Sequence, residues 1–128
     1  MKILIFIFLT IFSYSVNACI APYGGEEYDS KIELERIGKN KYQVTVPEKL
    51  EDLKSAEIIL AYSKGHPGGI PIYDPYEVLK PTVKEGKSTA RFSIEKREDT
   101  KPYIVVMWWP QQCCFCGIQA NSDFIEIE

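Results

Sequence analysis

The chain has 128 residues, 45% of them hydrophobic and 26% charged, with four cysteines and a formal charge of −3. Of its 15 Lys and Arg only Lys2 falls within the first 18 residues, so the remainder sets 14 cations against 18 carboxylates. That acidic balance, with no Lys/Arg cluster, argues against a nucleic-acid partner, because phosphate binding needs a basic footprint. The length left after residue 18 suits one core and not two.

Residues 1–18 read as a secretory signal. Lys2 is the charged start, Ile3 to Phe12 is an apolar run interrupted only by Thr10, and Ser13 to Ala18 is polar with small residues at −3 and −1 of the expected cut, Val16 and Ala18. The apolar run is too short to span a bilayer, which takes about 20 residues. No later segment is apolar enough to cross, so the mature chain is expected to carry no transmembrane span and to be secreted or periplasmic. Cleavage would leave 19–128 as a single domain opening on Cys19. Val16-Asn17-Ala18-Cys19 also resembles the lipobox of bacterial lipoproteins, although Val16 and Asn17 depart from its usual residues. That resemblance implies a lipid anchor on Cys19 as an alternative.

Cys19 to Ser30 holds Pro22, Gly24 and Gly25 among acidic residues and reads as an extended lead-in. From there the apolar period is two. Ile32 and Leu34 alternate with charges, Gly38 to Lys41 makes a turn, and Tyr42, Val44 and Val46 alternate with Gln43 and Thr45, which predicts a hairpin with one buried face. Pro47 ends it. Leu50 and Leu53, three apart among charges, suit a single helical turn or tucked loop over Glu48–Ser55. Glu57 to Ser63 is apolar on both faces, as in a central strand. Lys64 to Pro75 is rich in Gly and Pro, with a short edge strand expected at Ile70–Tyr73, through which dimerisation by strand pairing is open.

Lys84 to Lys87 turns into a strand at Ser88–Glu95, with Ala90, Phe92 and Ile94 facing inward. Glu95 to Lys101 is a charged turn. Tyr103 to Trp109 is the most apolar run and so a second central strand. Pro110 to Asn121 reads as a Cys-rich loop, and Asp123 to Glu128 as a last strand with Ile125 and Ile127 on one face. Regularly spaced short strands without a long amphipathic helix predict an all-β antiparallel β-sandwich or small barrel. In strand number and order, about seven, it resembles the immunoglobulin and fibronectin type III sandwiches. Tyr103, after Thr100 and Pro102, stands where such sandwiches often keep a corner tyrosine; the Cys-Trp-Cys pattern of antibody domains is absent.

Four cysteines in a short exported chain imply a disulfide framework. Adjacent Cys113 and Cys114 rarely reach bridging geometry, which leaves Cys19 joined to Cys113 or to Cys114, with Cys116 taking the other. The immunoglobulin-like layout implies that the chain start and the last interstrand loop share one end of the sandwich. On that basis Cys19–Cys114 with Cys113–Cys116 is the preferred pairing. Two other chemistries compete for these thiols. Cys113-x-x-Cys116 has the spacing of thiol oxidoreductases, but it lies between strands, without the helix N-terminus that lowers a thiolate pKa. Cys113, Cys114 and Cys116, with His66 and Met107 as further donors, would suit copper(I) or zinc.

His66 is the one histidine, and no Gly-x-Ser-x-Gly nucleophile accompanies it. Asp29, Glu33, Glu35, Glu48, Glu51 and Asp52 read as solvated faces and turns, not as an acid–base pair. No enzyme activity and no cofactor are therefore expected. Trp108 and Trp109, adjacent on a strand, must face opposite ways. One fills the core, and the other can join Tyr62, His66, Tyr73 and Tyr76 in an aromatic surface for a protein or cell-envelope partner.

Overall fold

The computed structural model describes residues 26–51, 53–64, 77–110 and 117–128. Among these residues the chain is all-β apart from one helical turn, α1 (Glu26–Asp29). Nine strands follow: β1 (Glu33–Gly38), β2 (Lys41–Pro47), β3 (Lys49–Leu50), β4 (Leu53–Ser63), β5 (Glu77–Leu79), β6 (Thr82–Lys84), β7 (Lys87–Ser93), β8 (Lys101–Pro110) and β9 (Ile118–Asn121). They form two antiparallel sheets. One has the order β1-β2-β7-β6; in the other, β4 carries β3 and β5 along one edge and β8 along the opposite edge, with β9 outside β8. No described helix is long and apolar enough to cross a membrane.

Alternation builds the core. Val44 and Val46 on β2 and Ala90 and Phe92 on β7 turn inward, followed by Ile94, and meet Ile58, Leu60 and Tyr62 of β4 and Ile104, Val106 and Trp108 of β8. On the outer face of the first sheet the same strands carry a wet ladder. Thr45 and Thr89 pair through their hydroxyls at 3.3 Å, and Arg91 Nε donates to Gln43 Oε1 at 3.2 Å. Such cross-strand pairs each stabilise by about 0.2–1 kcal/mol. As the sequence predicts, β4 and β8 are apolar on both faces: Ile59, Ala61, Tyr103 and Val105 form a second cluster on the side turned away from the first sheet. Tyr103 meets Phe124 there edge-on, with centroids 5.8 Å apart.

Two polar ties join the sheets at opposite ends. The fully buried Trp108 donates its indole N–H to the Pro47 carbonyl at 2.7 Å, and the Tyr62 hydroxyl accepts from the Glu95 backbone N–H at 3.1 Å. Each spends a polar group where an unmet one would cost about 1–3 kcal/mol.

Several expectations need correction. The helical turn or tucked loop expected over Glu48–Ser55 gives way to strand: Leu50 pairs with Leu53, and Glu51 takes a left-handed φ of 52°. The expected last strand is displaced, since the ladder with β8 is made by Ile118–Asn121, inside the stretch read as a loop. The tail from Ser122 to Glu128 runs on beyond it. Ser122 and Ile125 donate backbone N–H groups to Ile104 and Pro102 of β8, and Ile125 and Ile127 both pack on the main core, as expected. The tail then leaves β8 for the other sheet: Tyr42 donates its hydroxyl to the Glu126 carbonyl, Asn40 Oδ1 accepts from the Glu128 N–H, and Arg36 pairs with the Glu128 carboxylate. The lead-in expected to be extended ends instead in α1, where Asp29 Oδ1 accepts the Asn121 N–H at 2.8 Å.

Candidate functional site

Trp109 is the sequence-predicted site residue with the clearest placement. It alternates with the buried Trp108 and so lies on the outer face of β8, half-buried, in line with Tyr103, Val105 and Met107. Its ring lies across Gly117, which opens the next strand. A Cβ at Gly117 would stand 2.7 Å from the Trp108 carbonyl oxygen and 3.1 Å from Trp109 Cε3. Only glycine lets the backbone pass this close to the Trp108 carbonyl and the edge of the Trp109 ring.

Tyr62 is placed differently. It is 4% exposed, its hydroxyl bonds Glu95, and the Arg97 guanidinium sits 4.0 Å over its ring. That cation–π contact contributes about 0.5–1 kcal/mol and occupies one face of the ring. Tyr62 therefore braces the end of the sandwich and presents no open aromatic surface. Its role depends on Glu95 and Arg97, more than thirty residues away in sequence, and no local pattern around Tyr62 signals them.

His66, Tyr73, Tyr76 and all four cysteines fall outside the described residues, as does the edge strand expected at Ile70–Tyr73. The roots of their segments are nevertheless fixed. Segment 65–76 leaves after Ser63, which is paired with Lys101, whereas segment 111–116 leaves after Pro110, which is paired with Leu53. Tyr62 and Leu53 stand nine positions apart on β4, about 30 Å of strand. The two segments thus depart from opposite ends of the same strand pair. Tyr62 and Trp109 do not converge, and Met107 lies in the ladder opposite Glu57. Among the described residues no three His, Cys, Asp or Glu cluster at metal-binding distance.

The end that bears Trp109 is crowded with turns. The β6-β7 turn at Glu85-Gly86 is tied to the β2-β3 link by the Glu48 N–H donating to the Gly86 carbonyl at 2.9 Å. Ser30, Lys31 and Glu33, where the chain enters β1, line a hollow with Pro47, Glu85 and Lys87. Comparison with protein-family models, with curated proteins and with solved structures gives no match.

Proposed function

We infer that this chain is an exported, non-catalytic domain of immunoglobulin type that binds a protein or cell-envelope component through its loops. The strand order supports the type: β1-β2-β7-β6 facing β4-β8-β9 follows the A-B-E-D and C-F-G sheets of immunoglobulin constant domains, with β5 as an added edge. The leader and the four cysteines support export and a disulfide staple. The observation that carries the binding reading is Trp109, a half-buried tryptophan whose ring edge meets Gly117 at the root of the Cys-bearing segment. Large rigid aromatics in such positions are the commonest anchors of protein interfaces.

The shared end also bears on the cysteines. Glu33 of β1 is paired with Thr45, two residues before Pro47, and Pro47 accepts from Trp108 beside Pro110. The start of β1 and the root of segment 111–116 therefore lie toward one end, which favours a Cys19 bridge to the triplet.

The test combines intact mass with partner capture. Protein from its native compartment should begin at Cys19 and take up no alkylating reagent when unfolded without reductant. Cross-linking in place should then trap a partner with the wild type, lose it with Trp109→Ala, and keep it after chelation. Loss of the partner on chelation, with free thiols, would replace this reading by metal handling.

A further inference from the structure

We propose that the open side of the sandwich between β1 and the C-terminal tail is a docking groove for an extended, basic segment of a partner protein. Three features meet there. First, β1 pairs only with β2 among the described residues, so its other edge offers a row of backbone donors and acceptors. Second, the tail runs parallel to β1 without joining it. Asp29 holds Asn121 at one end and Arg36 holds Glu128 at the other, and between them lies an open groove of about 550 Å³. Third, the groove is apolar within and acidic around. Ile32, Leu34, Tyr42 and Ile125 line it, and its charged lining residues are Asp29, Asp123 and Glu126, all carboxylates.

Leu34 carries the inference furthest. It is paired with Val44, a fully buried core residue, and so points to the inner side of its sheet, yet it is 37% exposed. An inward leucine left open beside a free strand edge is what an added strand covers, its main chain pairing with β1 and its alternate side chains filling the pocket. The charge selects the occupant. Arg36 is already engaged by Glu128, so Lys or Arg on the incoming strand would answer Asp123 and Glu126. A second copy of this chain would bring another acidic edge, with Glu33 and Glu35 exposed on β1. Because the groove is separate from Trp109, its failure would leave the loop reading intact.

The probe is an octapeptide alternating Lys and Val, titrated against the mature protein, with an alternating Glu and Val peptide as control. The expected result is saturable binding of the basic peptide alone, weakening as salt is added, with slowed amide exchange over Glu33–Ile37. Asp123→Asn combined with Glu126→Gln should weaken it by about threefold or more, two exposed ion pairs being lost. Leu34→Lys should abolish it while the thermal transition stays in place. No binding, binding that survives Leu34→Lys, slowed exchange confined to other strands, or a dimer formed through β1 without peptide would each overturn the proposal.

Discussion

Glu85 and Gly86 show how a single residue choice is felt. Both take positive φ, 52° and 75°, as the two central positions of a tight β6-β7 hairpin turn require. Gly86 has open space where a Cβ would sit, so Gly86→Ala meets backbone strain and nothing else; it should lower stability by about 1 kcal/mol. Glu85→Asn should raise it by a few tenths to about 1 kcal/mol, since Asn tolerates the left-handed region better than Glu. Paired denaturant curves would check both signs. That the two tryptophans face opposite ways was legible at this scale from strand alternation; that Trp108 is the one in the core was not, because β8 is apolar on both faces. Tyr62 was not, because its neighbours Glu95 and Arg97 are supplied by another part of the chain.

Among the elements, the strong alternations at Tyr42–Val46 and Ala90–Ile94 and the apolar runs of β4 and β8 were readable because burial imposes their pattern. The short strands were harder. β5 and β6 have three residues each, and Val78 and Val83 lie exposed, so no alternation marks them. At β9 a signal did exist in Ile118 and Ala120, both buried, but the cysteines beside it made the stretch look like loop. The candidate surface fared worst, since strand pairing, which no local pattern reveals, sets its two segments at opposite ends. α1 is one turn long and cannot hold itself helical. Its tie to β9 through Asp29 and Asn121 holds it in place. Asp29→Ala should therefore cost about 1–2 kcal/mol, with faster amide exchange at Asn121 than in the centre of β8.

For the molecule as a whole, the proposed disulfide carries the largest testable effect. A bridge from Cys19 to the triplet would close a loop of more than ninety residues and restrict the unfolded chain by about 4–5 kcal/mol, a large share of the about 5–15 kcal/mol that holds a domain folded. Reduction should accordingly move the denaturant midpoint sharply downward, and Cys19→Ser should reproduce most of that shift. A midpoint unmoved by reductant would mean that the bridge is absent. The placement of the tail has a further bearing. Ser30 and Lys31 lie with Pro47 and Gly86, while Glu128 is fastened to Asn40 in the turn at the far end of β1. β1 thus begins at one pole of the sandwich, and Glu128 lies at the other. If the molecule is tethered on the side where β1 begins, to a lipid or to a larger assembly, the pole carrying Trp109 faces the attachment. The β1-β2 turn, Glu128 and the root of segment 65–76 are then held outward, so the point of tethering decides which half of the molecule an approaching partner meets first.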